Sequence, residues 1–279
     1  MTAAALPTDY SAWLGRTVEA EDHFGQPLIQ RIAATLGEPA PADGEPLPLL
    51  WQWCFFQAAV NETQLGSDGH PARGGFLPPA DNRNRMWAGG QLDFIAPLTV
   101  GAPATRVSTV LRVEEKLGRS GALLFVTVRH DYTQGGQLCL RETQDIVYRE
   151  PTPPKLGGGE APPAGQWSET VEPTATLLFR YSAVTFNGHR IHYDYPYVTD
   201  TEGYPGLVVH GPLIATLSLR AFCRAHPGKR VRQFAFRGVR PLTVPTPFRV
   251  GGELTGPGQA QLWAGNEQGV AQSAEVTFD

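Results

Sequence analysis

Residues 204–225 read YPGLVVHGPLIATLSLRAFCRA, and residues 179–194 before them read FRYSAVTFNGHRIHYD. The later stretch decides the fold. Pro212 suits a first helical turn, where its missing N–H is not needed, and Gly211 is read as the N-cap. Leu213, Ile214, Leu217, Phe222 and their neighbours are apolar almost all round, and Pro227-Gly228 stops the run. A helix apolar on most faces is covered on most faces. The spacing therefore predicts a buried helix over 212–225. Upstream, Leu177, Leu178, Tyr181 and Val184 stand at i, i+1, i+4 and i+7 and predict a helix over 174–185 with one broad apolar face.

The covering elements are strands. Leu123-Leu124-Phe125-Val126-Thr127-Val128 is apolar and β-branched, and Phe234-Ala235-Phe236 and Leu262-Trp263 are strand-like. Gln144-Asp145-Ile146-Val147-Tyr148 and Ala274-Glu275-Val276-Thr277-Phe278 alternate with period two. One buried helix wrapped by a long antiparallel sheet is an α+β arrangement.

Residues 151–165, PTPPKLGGGEAPPAG, hold five prolines and four glycines and carry no apolar period, so they read as a linker. They separate 1–150 from 166–279, and the two parts repeat one pattern. Pro97-Leu98-Thr99-Val100 matches Pro241-Leu242-Thr243-Val244, each with an Arg-Val shortly after it, at Arg106-Val107 and Arg249-Val250. A Gln-Gly turn follows in both, at Gln134-Gly135 and Gln268-Gly269, and each part ends in an alternating strand. Three features in one order indicate an ancestral duplication.

Composition narrows the function. Hydrophobic residues at 41% and charged residues at 18% supply a core and exclude global disorder. The net charge is −4 and the basic residues do not cluster, so no nucleic-acid-binding stripe is expected. Cys54, Cys139 and Cys223 are too far apart for a zinc ribbon and fit a reducing compartment. Residues 1–7 lack a basic and apolar leader, and no run of 18 apolar residues occurs, so a cytoplasmic protein is expected, with no membrane partner.

The densest polar cluster is Asn187-Gly188-His189-Arg190-Ile191-His192-Tyr193-Asp194, followed by His210-Gly211 at the start of the buried helix. Titratable groups beside a glycine-led helix N-terminus suit a reaction site. His189-x-x-His192 with Asp194 has zinc-like spacing, but a fourth ligand is lacking and no metal is expected.

These two stretches resemble the MaoC-like hydratases and dehydratases of acyl thioesters, and best the type 2 hydroxyacyl-thioester dehydratase branch. R-specific enoyl-CoA hydratases of that superfamily carry an Asp-x-Asn-Pro-x-His loop and a later His-Gly before the central helix. The resemblance is specific in 166–279. In 1–150 it rests on Arg85-Met86-Trp87-Ala88-Gly89-Gly90 and the strands after it. It implies a double hot dog, two antiparallel sheets each wrapping a central helix. The half at 1–150 is then degenerate and shapes the substrate pocket, and 166–279 carries the catalytic motif.

Carried onto this sequence, the motif histidine is His192, the motif aspartate falls on Asn187, the motif asparagine on His189, and the later glycine is Gly211. The expected catalytic residues are thus His192, Asn187 and Gly211. His192 moves protons, Asn187 orients water because an amide is no base, and the backbone of Gly211 holds the thioester oxygen. The imidazole of His192 is expected to face the mouth of the buried helix. Arg190, His189, Asp194, His210, Arg85 and Trp87 are the expected substrate-binding residues, although Asp194 could equally pair with Arg190, and His210 could brace the helix entry.

The function implied is a hydro-lyase of an acyl-CoA thioester. The substrate class suggested is a branched C5 dicarboxylyl-CoA, itaconyl-CoA or mesaconyl-C4-CoA, interconverting with citramalyl-CoA. The alternatives are a fatty-acid or polyketide 3-hydroxyacyl dehydratase, a hot dog protein that binds acyl-CoA without chemistry, and a thioesterase. No cofactor is implied, and either a homodimer or a monomer is compatible.

Overall fold

The computed structural model describes residues 9–80, 83–118 and 121–279. The leader region considered above, residues 1–7, lies outside them. In chain order the main elements are β1 (Thr17–His23), α1 (Gln26–Leu36), β2 (Asn84–Phe94), β3 (Pro103–Gly118), β4 (Gly121–Gln134), β5 (Gln137–Arg149), β6 (Trp167–Val171), α2 (Ala175–Val184), α3 (Gly211–Ala225), β7 (Val231–Gly238), β8 (Phe248–Gly256), β9 (Gln259–Asn266) and β10 (Gly269–Phe278).

The strands form one sheet in the order β1-β3-β4-β5-β2-β7-β10-β9-β8-β6. Read inward from the edges, β1-β3-β4-β5-β2 is matched by β6-β8-β9-β10-β7. The chain is a double hot dog: two copies of one five-stranded unit, joined where β2 runs antiparallel to β7.

The repeated Pro-Leu-Thr-Val makes the same contacts twice. Leu47 N–H donates to Leu98 O (2.7 Å), and Val209 N–H donates to Leu242 O (2.8 Å). Val100 N–H donates to Glu45 O and Val244 N–H to Leu207 O, both at 2.9 Å. This register aligns residue 48 with His210 and places the turn Trp51–Cys54 at the first turn of α3. In the first half the expected central helix is reduced to that single 3-10 turn. Trp51, Trp53, Cys54, Phe55 and Phe56 fill the hollow of the sheet with aromatic volume instead. Among the described residues only the second half wraps a full central helix; α1 in the first half is the counterpart of α2.

In α3, Leu213, Ile214, Ala215, Leu217, Leu219, Ala221 and Phe222 are all buried. The N-cap of α3 is His210 rather than Gly211: His210 is extended (φ −61°, ψ 130°) and Gly211 is already helical. Thr174 caps α2, its Oγ1 accepting from Leu177 N–H (3.1 Å). Gly89 and Gly90 let the halves meet, since a Cβ on Gly89 would overlap the carbonyl of Phe236 across the junction. Residues 151–165 hold no helix or strand and run beside the second half, with Val270 N–H donating to Glu160 O (3.2 Å). Among the described residues no helix is long and apolar enough to cross a membrane.

Candidate active site

The loop from α2 to α3 places His192. Beyond α2, Phe186 takes a left-handed conformation (φ 49°), and Asn187 N–H donates to Ser182 O (2.8 Å), folding the chain back. The turn is closed by Asn187 itself, whose Oδ1 accepts from His189 N–H (3.0 Å). Val208 N–H donates to Ile191 O (2.9 Å), so the segment entering α3 is laid beside the motif loop. In that segment the Nδ1–H of His192 donates to Val208 O (2.7 Å). A carbonyl can only accept, so Nδ1 carries the proton and Nε2 presents a lone pair. Nε2 has no hydrogen-bond partner among the described residues.

The His192 ring is 6% exposed and stacks on His210, with centroids 3.6 Å apart and planes at 18°. Because His210 caps α3, the stack sets His192 at the mouth of the helix, as expected, though more deeply buried. Burial, followed by the neighbouring His189, pushes the imidazole of His192 down to about 3. It therefore stands neutral at physiological pH. Burial also holds His210 well below its ordinary value. His210 Nε2 lies 2.8 Å from Ser182 Oγ, which fixes its ring.

Gly211 follows. Its N–H, at the first helical position, has no intrahelical acceptor, and the helix dipole adds positive potential there. A Cβ built on Gly211 would meet no atom within 4 Å beyond its chain neighbours and its own helix backbone, so the space on its side-chain side is open. Gln272 Nε2 donates to Gly211 O (3.0 Å) from β10. Two buried polar atoms here, His210 Nδ1 and Gln272 Oε1, lack a partner among the described residues.

Other expected site residues divide into four groups. Asn187 uses one lone pair of its Oδ1 on the turn, accepting from His189 N–H. Arg190 and Asp194 are spent on each other: Arg190 NH2 lies 2.8 Å from Asp194 Oδ2, Asp194 Oδ1 accepts from Tyr197 N–H (3.1 Å), and the guanidinium covers the Tyr197 ring. They brace the loop. Trp87 lies edge-on to Trp53 with centroids 5.0 Å apart and donates Nε1–H to Gly89 O, forming wall rather than polar contact. Arg85 has no hydrogen-bond or ion-pair partner among the described residues, yet its charge reaches both His70 and His189 and lowers their basicity.

Sequence reasoning missed the first half's polar contribution. The loop Gly66-Ser67-Asp68-Gly69-His70-Pro71 docks on the motif loop: Arg190 N–H donates to Asp68 O (2.9 Å) and Arg190 NH1 to Ser67 O (3.0 Å). Gly69 and Gly188 touch backbone to backbone, and a Cβ on Gly188 would stand 2.6 Å from Gly69 O. His70 then meets His189 (centroids 4.3 Å), and His189 meets His192 edge-on (5.4 Å). Burial, then the charge of His70, pushes His189 down to about 3. The only available signal was a second Gly-His in a glycine-rich segment. The zinc-like spacing of His189, His192 and Asp194 does not gather into a ligand set, because Asp194 pairs with Arg190.

A sequence model of the hydroxyacyl-thioester dehydratase type 2 family matches residues 50–244. The chain belongs to that family. It is 47% identical over 247 residues, 87% of this chain and 88% of the other, to the mesaconyl-C(4)-CoA hydratase of Chloroflexus aurantiacus. It is 31% identical over 274 residues to the mitochondrial type 2 hydroxyacyl-thioester dehydratase of Schizosaccharomyces pombe, covering 84% of this chain and 89% of that one. A solved MaoC-like dehydratase from Phytophthora capsici superposes with a TM-score of 0.71 at 14% identity, over 95% of this chain and 96% of that one, a likeness of fold. In this chain the matched segment spans the Trp51–Cys54 turn, the motif loop and α3.

Proposed function

We propose that this protein is a hydro-lyase that adds water to, or removes it from, a branched C5 dicarboxylyl-CoA, with mesaconyl-C4-CoA as the preferred unsaturated ester and citramalyl-CoA as the hydrated one. The observation that carries the reading is the free Nε2 of a neutral His192 beside the helix-terminal N–H of Gly211. Nε2 takes a proton from water as its oxygen bonds to Cβ. The alkene pair moves toward the thioester, and Gly211 N–H holds the oxygen that gains charge; one such donor is worth about 2.7–4 kcal/mol in the transition state. A proton delivered to Cα completes the addition. Arg85, without a protein counter-ion among the described residues, suits a free carboxylate carried beside Cβ. Trp53 and Trp87 supply an apolar wall from the first half.

Support for the substrate class comes from the relative that is 47% identical over most of both chains. Every residue invoked lies in one chain, so a second copy is not needed to complete the site. The three free cysteines agree with the cytoplasm.

The test is hydration of mesaconyl-C4-, itaconyl- and crotonyl-CoA by the purified protein, with chiral analysis of the product. Turnover of the branched dicarboxylyl esters is expected to exceed that of crotonyl-CoA. His192→Ala should lower kcat by on the order of a hundredfold or more while CoA-ester binding persists. Unchanged turnover in that variant, or release of free CoA as the sole product, overturns the proposal.

A further inference from the structure

Hydration needs two proton transfers, one from water and one to Cα. His192 accounts for the first. The motif position that would hold a carboxylate is Asn187, an amide tied into its own turn. Asp194 is held by Arg190 and caps Tyr197 N–H, while Glu202 accepts from Asn84 and Tyr197. The carboxylate grouped with the site imidazoles comes from the first half. Asp68, His70 and His189 bring one side-chain donor or acceptor atom each within 4.8 Å of one another.

Resting on the hydro-lyase reading, we propose that the Asp68–His70 pair is the second acid–base group of the site, with His70 delivering the proton to Cα and Asp68 positioning it. Four observations support this. Asp68 Oδ1 accepts from His70 N–H (3.0 Å) and Oδ2 faces His70 Nδ1 (3.4 Å), which directs the other ring nitrogen away from the carboxylate. The loop is held on the motif by Arg190 and by the Gly69–Gly188 contact, so the pair is built in place. His70 retains 20% side-chain exposure, unlike His192, so it can meet both substrate and solvent. Among the four clustered imidazoles, His70 is the one hydrogen-bonded to a carboxylate; burial lowers its basicity, and Asp68 opposes that by favouring the proton-bearing ring that the step to Cα needs.

The composition of the cluster also suits a cation, but its positive charge is already supplied by protein. Arg73 NH2 lies 3.4 Å from the same Asp68 Oδ2, and Arg85 acts on both His70 and His189. That charge disfavours a divalent ion and favours an anionic ester.

The step balances. The water O–H breaks and its proton goes to His192 Nε2, the O–Cβ bond forms, and the alkene pair moves to Cα and the thioester. The proton of His70 then forms the Cα–H bond. His192 ends protonated and His70 deprotonated, and exchange with solvent restores both between turnovers.

Burial lowers the basicity of His70; the groups facing it are Asp68, which raises it, Arg85 and Arg73, which lower it, and the ring of His189. Asp68→Asn keeps the turn acceptor but removes the charge. It should lower kcat by on the order of a hundredfold with KM nearly unchanged. It should also move the alkaline limb of the kcat/KM profile to lower pH, a change that loss of packing would not produce. His70→Ala should lose kcat similarly and recover part of it with added imidazole, and thermal melting checks that both variants fold.

The substrate is whichever ester of the three-member panel wild-type protein hydrates fastest. If wild type hydrates none, the hydro-lyase reading falls and takes this inference with it. If wild type is active and either variant keeps its kcat, or imidazole restores nothing to a folded His70→Ala, the inference alone is overturned. Loss of wild-type turnover on chelation, restored by zinc, would overturn it too by showing a metal at the cluster.

Discussion

A single carbonyl decides what His192 can do. Val208 O accepts only the protonated Nδ1, so the lone pair sits on Nε2 and the ring is a base before any substrate arrives. Stacking on His210 and burial keep it uncharged. The next residue in the machinery is defined by what it lacks. Beyond its chain neighbours and its own helix backbone, nothing stands within 4 Å of where a Gly211 side chain would be, and its φ is ordinary, so Gly211→Ala should fold as well as wild type. The new methyl would occupy the space proposed for the thioester. Melting temperature should hold or rise slightly, as alanine favours helix, while kcat/KM falls by about tenfold or more. Steady-state kinetics beside a thermal melt separates these effects. Asn187 shows how far a motif position is readable: its identity excluded a base, but only the hydrogen bond to His189 N–H showed that one lone pair of its oxygen is occupied.

Among the elements, the predicted helices appear as α2 and α3 because their signals are local: a threonine cap, Pro212 at the start, and apolar side chains at helical spacing. The single turn Trp51–Cys54 is different. Its aromatic residues could fill a core in many ways, and its equivalence to α3 emerges only from matched pairing with the repeated Pro-Leu-Thr-Val segments. The β2–β7 junction depends on close backbone approach. Gly89→Ala would press a Cβ into Phe236 O, so urea denaturation should show a loss of about 1–3 kcal/mol. Unchanged stability would mean that the halves tolerate separation at this point.

For the molecule as a whole, buried titratable groups set the pH response. His130, His189, His192 and His210, none of them hydrogen-bonded to a carboxylate as His70 is, are held below their ordinary value, with burial the leading cause. A depressed histidine stays neutral in the fold while the unfolded chain protonates near 6.5. The fold is therefore fully favoured above that pH and loses stability as pH falls. For His130, pushed down to about 4, and His189 and His192, pushed down to about 3, the loss by pH 5 is on the order of 2 kcal/mol each. Chemical denaturation at pH 7 and pH 5 should show this fall.

Glu142 acts in the opposite sense. Burial pushes it up to about 7 although Trp53 Nε1 and Tyr132 OH donate to it. The folded state then binds more protons than the unfolded chain between 4.5 and 7, so stability drops as pH rises through that window. Glu142→Gln should gain on wild type by up to about 3 kcal/mol between pH 5 and pH 8. A constant difference between the two would show that Glu142 titrates normally.

The sequence by itself determined helices α2 and α3, several of the strands and the duplicated pattern, because periodicity, caps and repeat spacing are properties of neighbours along the chain, whereas α1 (Gln26–Leu36) appears only in the structure. The tertiary structure decided which nitrogen of His192 is free, that Arg190 and Asp194 serve each other, and that Asp68 and His70 stand beside the motif. Those facts depend on two loops more than a hundred residues apart meeting at Gly69 and Gly188. Such a meeting is fixed by backbone clearance and sheet closure, which no local pattern encodes.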